Sequence, residues 1–132
     1  MICLDNSVLS RFSSPQTFPD VEAYLASHSS DLWTVPATVA YEYYSYFDSQ
    51  SETRTQQRRL SETLDGILPV TDAVAAEAAM IETSLAKQGV SLDTADLIHV
   101  ATARESGATF VTRDRDDFDK ESIKELLDVD IL

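Results

Sequence analysis

Cysteine is almost absent from the 132-residue chain, since Cys3 is the only one. A single cysteine cannot close an internal disulfide, and no other cysteine or histidine accompanies it at zinc-ligand spacing. These absences exclude a disulfide-stapled miniprotein and a zinc-finger fold. Because Cys3 lies in an apolar segment, we interpret it as a buried strand residue.

Long apolar runs are absent as well. The longest apolar stretches are only a few residues, and no basic segment leads into an apolar run at the amino terminus. A membrane span and a secretory signal both require such segments. We therefore expect a soluble, cytoplasmic protein. Its 43% hydrophobic residues suffice for one core, so we expect a single domain over residues 1–132.

Positive charge is scarce. The chain has 10 Lys+Arg against 23 Asp+Glu, a net charge of −13, and such a surface repels phosphate in dilute salt. The excess of aspartate over lysine is typical of proteins adapted to a salt-rich cytoplasm, where molar salt shortens the screening length to roughly 3 Å. We interpret the acidity as a halophilic surface adaptation that leaves nucleic acid open as a partner.

Short apolar segments alternate with helical patterns along the chain. The predicted strands are 1–4, 33–35, 67–70 and 109–112; the predicted helices are 18–26, 37–47, 51–64, 72–87, 91–105 and 122–127, with a last apolar pair at 131–132. Parallel strands need crossover connections, which are usually helices. The alternation therefore predicts an α/β fold with a mostly parallel sheet between two helical layers.

Four acidic residues stand out because each lies among apolar or small residues. Asp5 and Asp114 follow predicted strands, whereas Glu42 and Asp96 lie within predicted helices. Buried carboxylates are costly unless they are paired or bind a metal, and a divalent cation with oxygen ligands keeps converging carboxylates ionised. The pattern predicts Mg²⁺ or Mn²⁺, which activates water for phosphodiester hydrolysis. For any one acid alone, a structural capping role explains the residue equally well.

The order and spacing of these acids are more specific than the acids themselves. LDNSVL at 4–9, Glu42, LDTADLIHVATA at 92–103 and GATFVTRD at 107–114 followed by Asp117-Phe118 together resemble the PIN-domain nucleases. The similarity is closest to the small VapC-type toxins of toxin–antitoxin systems, and it covers nearly the whole chain.

The resemblance implies a metal-dependent endoribonuclease that forms a homodimer, pairs with an antitoxin, and holds one or two Mg²⁺ or Mn²⁺ ions in an acidic pocket. The four acids fall on the acidic positions of the family, and Asn6 or Ser7 on the polar position after its first aspartate. Glu42 is the weakest assignment, because it rests on position and helix context.

Other polar residues lie close to these acids in the sequence. Asp93 precedes Asp96 by one helical turn and either caps the helix, which we favour, or faces the pocket. His99 follows Asp96 by three residues; we favour a packed, hydrogen-bonded histidine over contact with substrate or a second-shell water. Arg113 precedes the fourth acid and is a candidate for phosphate binding. Asp117 competes for the fourth acidic site, as do Asp116 and Asp119.

Two surface features have open interpretations. Arg54, Arg58 and Arg59 form a basic face at helical spacing, which we interpret as solvated, with RNA contact as the alternative. The helix 37–47 carries too many aromatic residues for one buried stripe: Tyr41, Tyr43, Tyr44, Tyr46 and Phe47. Part of this helix is therefore a candidate interface for a dimer partner or an antitoxin.

Three other functions compete with a toxin nuclease. A phosphoacceptor receiver needs an acidic pair after its first strand and a lysine after its last, and the chain has neither at those places. A PIN-like binding module without catalysis would have lost the acids, which are present. A housekeeping RNA-processing nuclease shares both fold and acids, and a neighbouring antitoxin gene would distinguish it from a toxin.

Overall fold

A computed structural model of the chain describes all residues from 1 to 132. One five-stranded sheet runs through the molecule, every neighbouring pair of strands is parallel, and the strand order is β3-β2-β1-β4-β5. The strands are β1 (Ile2–Leu4), β2 (Trp33–Pro36), β3 (Gly66–Leu68), β4 (Thr109–Thr112) and β5 (Val129–Ile131). The predicted α/β fold with a parallel central sheet is confirmed.

Eight helices connect and cover these strands. They are α1 (Asn6–Phe12), α2 (Pro19–Ser27), α3 (Ala37–Tyr44), α4 (Gln50–Thr63), α5 (Asp72–Ala86), α6 (Thr94–Glu105), α7 (Arg115–Phe118) and α8 (Glu121–Lys124). Side chains of Asp5, Ser49, Thr71 and Asp93 accept hydrogen bonds from main-chain N–H groups at the starts of α1, α4, α5 and α6. Gly107 follows α6 with a φ of 68°, a conformation that glycine adopts without strain. None of the helices is both long and apolar enough to cross a membrane.

Two apolar cores lie on opposite faces of the sheet. Ile2 and Leu4 of β1 point into a cluster of 13 buried residues with α1, α2, α3 and α4, whereas Cys3 points into a cluster of 12 with α5 and α6. This alternation is the two-residue period of a strand. It confirms Cys3 as a buried strand residue, and burial raises the pKa of its thiol to about 12.

Several element boundaries differ from the predictions. The third strand ends at Leu68, and Val70 beyond it is 47% exposed. Helix α3 ends at Tyr44, yet Phe47 still packs edge-on against Tyr43 at a ring-centroid distance of 5.4 Å. The aromatic spacing therefore reports a real packing contact made by a residue in the following turn. The predicted carboxy-terminal helix is shorter than expected and covers only Glu121–Lys124.

The topology of the sheet determines which of its edges is suited to bind a ligand. From β1 the chain first adds β2 and β3 on one side, and later β4 and β5 on the other. Strand order therefore reverses at β1, and in parallel sheets the crevice outside the carboxyl ends at such a point is where ligands bind. Asp5 and Asp114 follow the two strands, β1 and β4, that flank this crevice.

Candidate functional site

Asp5 is the most firmly held of the predicted site acids. It follows β1, caps α1 and is only 7% exposed. Its Oδ1 accepts a hydrogen bond from the Asn6 main-chain N–H at 2.8 Å. Its Oδ2 accepts two more, from Thr112 Oγ1 at 2.7 Å and from Ser7 Oγ at 3.0 Å. Both carboxylate oxygens therefore have fixed positions at the end of the central strand.

Two hydroxyl groups join the end of β1 to the end of β4. Besides binding Asp5, Ser7 Oγ accepts from the main-chain N–H of Arg113 at 2.9 Å, and Thr112 Oγ1 accepts from that of Asp114 at 3.0 Å. The position of Asp114 is thereby tied to that of Asp5. Sequence reasoning treated Thr112 only as a strand residue; the one available signal was a hydroxyl at the last position of the strand that leads to the fourth acid.

Glu42 of α3 and Asp96 of α6 converge with Asp5 on the buried ring of His99, which is 1% exposed. His99 Nε2 lies 3.1 Å from Glu42 Oε1, and Nδ1 lies 3.5 Å from Asp96 Oδ1 and 3.8 Å from Asp5 Oδ1. None of these contacts has hydrogen-bond geometry, and both ring nitrogens and Glu42 Oε1 are buried without a hydrogen-bond partner. His99 is packed as expected, but the prediction that its ring is hydrogen-bonded is wrong.

Two neighbouring aspartates, Asp114 and Asp117, lie at the predicted fourth acidic position. Asp114 Oδ1 caps α7 by accepting from the Asp117 main-chain N–H at 3.0 Å. Partial burial raises the pKa of the Asp117 carboxyl, and the negative charges of Asp114 and Asp96 raise it further. Asp117 therefore belongs to the same negative region. Asp116 is exposed, and Asp119 pairs with Lys124, which lowers the pKa of the Asp119 carboxyl.

Burial and mutual repulsion disfavour negative charge at this edge of the sheet. Burial raises the pKa of Asp5, although the hydrogen bond from Thr112 and the nearby His99 oppose the shift. Burial likewise raises the pKa of Glu42, and the charges of Asp5 and Asp96 add to that effect. A bound cation would relieve both costs.

The donor atoms at the site fit a divalent metal ion. One ligand atom from each of Asp5, Glu42 and His99 can be chosen such that all three lie within 4.8 Å of one another. Carboxylate oxygens and an imidazole nitrogen are ordinary ligands of divalent ions. An ion at this point would also give the orphaned Glu42 oxygen and the His99 ring a partner.

The remaining candidate residues have defined surroundings. Asp93 Oδ1 accepts from the Asp96 main-chain N–H at 2.8 Å, which agrees with the favoured capping role. The Arg113 guanidinium pairs with Asp20 at the start of α2. Asn6 is half-buried, and its Oδ1 has no hydrogen-bond partner. Arg11, which sequence reasoning did not single out, donates to the Ser7 carbonyl oxygen at 2.6 Å.

The aromatic and basic surface residues lie on neighbouring helices. On α3, Tyr43 is buried, whereas Tyr41 is 72% exposed; Tyr46, just beyond the helix, is 69% exposed. Arg54, Arg58 and Arg59 are all exposed on α4. The exposed tyrosines and the three arginines are therefore candidates for contacts with other molecules.

Comparison with solved structures finds whole-chain similarity. A FitAcB structure from Neisseria gonorrhoeae matches with 26% identity and a TM-score of 0.75, covering 98% of this chain and 96% of that one. VapBC2 from Rickettsia felis bound to a promoter DNA fragment matches with 15% identity and a TM-score of 0.77, covering 100% and 99%. DNA-bound VapBC from Salmonella typhimurium has 15% identity and a TM-score of 0.74, covering 99% and 98%.

The sequence itself also matches a known family. A comparison with curated proteins finds no match, but the sequence profile of the PIN domain matches residues 2–122. That match spans all four predicted acids and the LDNSVL segment at 4–9. The chain therefore belongs to the PIN-domain family, whose members are nucleases that use divalent metal ions.

Proposed function

We propose that this protein is a metal-dependent endoribonuclease and the toxin of a toxin–antitoxin pair. The observation that carries the proposal is the meeting of Asp5, Glu42 and Asp96 around one buried, unpartnered histidine at the carboxyl edge of a parallel sheet. Family membership supports a nuclease. Metal dependence and RNA as the substrate are our proposals.

The acids that would hold the ion are Asp5, Glu42, Asp96 and Asp114. When bound, Mg²⁺ or Mn²⁺ lowers the pKa of a water molecule and stabilises the negative charge that develops on a phosphodiester during hydrolysis. The protein supplies a rigid frame for this chemistry, because Ser7 and Thr112 hold Asp5 Oδ2 and the main chain of Asp114 in place. A ligand with a fixed orientation binds its ion without paying for reordering.

Arg113 is our candidate for binding the phosphate backbone. Its main chain is fixed to Ser7, and its guanidinium pairs with Asp20, whose side chain is 46% exposed. Exposed ion pairs contribute little stability, so a phosphate can replace Asp20 as the partner at small cost. The exposed trio Arg54, Arg58 and Arg59 would add a second, less specific contact.

The partners that we propose are an antitoxin and a second copy of this chain. Several solved structures with this fold are toxin–antitoxin complexes. Tyr41 and Tyr46 give this chain exposed aromatic area on and next to α3, and aromatic residues are enriched in protein interfaces.

The direct test is incubation of the purified protein with RNA in molar KCl, with Mn²⁺, with Mg²⁺ and with EDTA. We expect cleavage of single-stranded or loop RNA with either ion, none in EDTA, and recovery when Mn²⁺ is restored. Cleavage that survives exhaustive chelation would contradict the mechanism. Cleavage of single-stranded DNA but not of RNA of the same sequence would contradict the substrate.

The toxin role needs a separate experiment. We expect expression of the wild-type chain to stop growth of the host, and co-expression of the proposed antitoxin to restore it. An Asp5→Asn variant controls for the burden of expression and should not affect growth. Active protein that leaves growth unaffected would instead favour an RNA-processing nuclease without an antitoxin.

A further inference from the structure

We propose that His99 is a metal ligand of this site, binding the ion through Nε2, and that the site therefore prefers Mn²⁺ to Mg²⁺. The inference rests on the proposed function, because it concerns the ion on which that function depends. It adds a nitrogen ligand to the carboxylates that the sequence pattern identifies.

The first argument is the burial of His99 without a partner. The ring is 1% exposed, and neither nitrogen has a hydrogen bond in the structure. A buried polar atom without a partner has lost its hydrogen bonds to water and gained none in the protein, which is unfavourable. His28, the other histidine of the chain, shows the contrast, since its Nδ1 lies 2.8 Å from the carbonyl oxygen of Tyr24. The buried ring of His99 therefore has nitrogen atoms that are available to a ligand.

The second argument is the position of the carboxylates. Nε2 faces Glu42, whereas Nδ1 faces Asp5 and Asp96. A histidine that ligates a metal ion is neutral, with a lone pair on the ligating nitrogen and an N–H on the other nitrogen. With the proton on Nδ1, between two carboxylates, the lone pair of Nε2 is free for an ion shared with Glu42.

The third argument is the distance between Nε2 and Glu42 Oε1, which is 3.1 Å without hydrogen-bond geometry. In octahedral coordination with ligands at about 2.1 Å, two adjacent ligand atoms lie roughly 3 Å apart. The two atoms are therefore spaced as neighbouring ligands of one ion. One carboxylate oxygen of Asp5 also lies within 4.8 Å of a ligand atom of Glu42 and of His99.

The ligand type determines the expected ion preference. Mg²⁺ is a hard cation that binds carboxylates, phosphates and water, and gains little from an imidazole. First-row transition ions accept imidazole readily. A site of carboxylates plus His99 should therefore bind Mn²⁺ more tightly than Mg²⁺, and the difference should depend on His99.

The test is pulsed electron paramagnetic resonance of the protein loaded with Mn²⁺, which detects the nitrogen of a directly bound imidazole. The chain has two histidines, so nitrogen coupling in a His28→Gln variant comes from His99 alone. We expect this coupling in the wild type and in His28→Gln, and its loss in His99→Gln. We also expect His99→Gln to weaken Mn²⁺ binding by about ten- to one-hundredfold and Mg²⁺ binding far less.

Mn²⁺ that binds to wild type and to His28→Gln without nitrogen coupling would overturn the inference, whatever happens to His99→Gln. Equal loss of Mn²⁺ and Mg²⁺ affinity in His99→Gln would also overturn the ion preference. Failure of the proposed function gives a different result. In that case wild type binds neither ion, or binds Mn²⁺ with nitrogen coupling and cleaves no RNA.

Discussion

At the scale of single residues, hydroxyl groups determine the geometry of the acids. Thr112 positions two acids, since its hydroxyl donates to Asp5 Oδ2 and accepts from the main-chain N–H of Asp114. Ser7 repeats this arrangement between Asp5 and Arg113. The positions of the carboxylates therefore depend on uncharged neighbours.

We predict that Thr112→Val lowers both stability and metal affinity. The substitution leaves one buried oxygen of Asp5 short of a donor and the Asp114 N–H without its acceptor, at a cost of about 1–3 kcal/mol. Urea unfolding and Mn²⁺ titration measure the two effects. Thr109→Val, at the other end of the same strand, is the matched control and should change metal affinity very little. Equal metal affinity in wild type and Thr112→Val would contradict this role.

The raised pKa values of Asp5 and Glu42 predict how pH affects metal binding. Without metal, the folded protein binds more protons than the unfolded chain between the usual and the raised pKa values. Its stability therefore falls as pH rises through that window. An ion must displace those protons, so the gain in Tm on adding Mg²⁺ should be larger at about pH 7.5 than at about pH 5. A larger gain at the acidic pH would contradict the placement of the ion.

The acids in apolar surroundings could be found from the sequence, but the hydrogen bonds that hold their atoms could not. Asp5 and Asp96 were found because an acid in an apolar segment is costly. The hydroxyl of Thr112 acts across 107 positions of chain, and no local pattern reports such a contact. The unpartnered state of His99 is likewise visible only when α3 and α6 are packed together.

At the scale of elements, α6 brings three site residues to one place. Asp93 caps its first turn, Asp96 lies in that turn, and His99 follows one turn later on the same side. Buried residues along the rest of the helix, Val100 and Ala101 among them, fix it against the core. The positions of Asp96 and His99 therefore depend on the first turn of α6 and its cap.

We predict that Asp93→Ala lowers the free energy of unfolding by about 1 kcal/mol, because the helix loses its cap. Asp93→Ser keeps a capping oxygen, removes the charge, and should retain both stability and RNA cleavage. Thermal unfolding and a cleavage assay of the two variants separate capping from chemistry. A stable Asp93→Ser protein without cleavage would show that Asp93 acts in the pocket.

Long periodic elements could be predicted from the sequence, whereas short ones could not. Helices α5 and α6 were predicted to within three residues at each end. Helix α7 and strand β5 are only four and three residues long, and tertiary contacts hold them. Phe118 of α7, for instance, packs edge-on against Phe110 of β4 at 5.1 Å. Elements this short carry too few residues to show a period.

At the scale of the whole molecule, we predict a homodimer. Tyr41 and Tyr46 are exposed beside the buried Tyr43, and molar salt screens the net charge of −13 that would otherwise separate two copies. Light scattering across a concentration series in molar KCl should give twice the 14.6 kDa protomer mass. Tyr41→Ser should weaken the dimer, and Met80→Ser, an exposed apolar residue of α5, should not. A protomer mass at every concentration would contradict the dimer.

The central claim is that a metal ion held by these acids cleaves RNA, and the most direct measurement is the Mn²⁺-dependent cleavage rate of five aspartate-to-asparagine variants. Folding of each variant is checked by circular dichroism. We predict that Asp5→Asn and Asp96→Asn abolish cleavage, because each removes a charge that holds the ion. Asp114→Asn should reduce the rate by a smaller factor, and Asp117→Asn should be intermediate if it reaches the ion through water.

Asp116→Asn is the matched control within this series, since it removes the same charge from an exposed position next to Asp117. It should cleave RNA at the wild-type rate. A well-folded, active Asp96→Asn protein, or an Asp116→Asn protein as inactive as Asp5→Asn, would contradict the account.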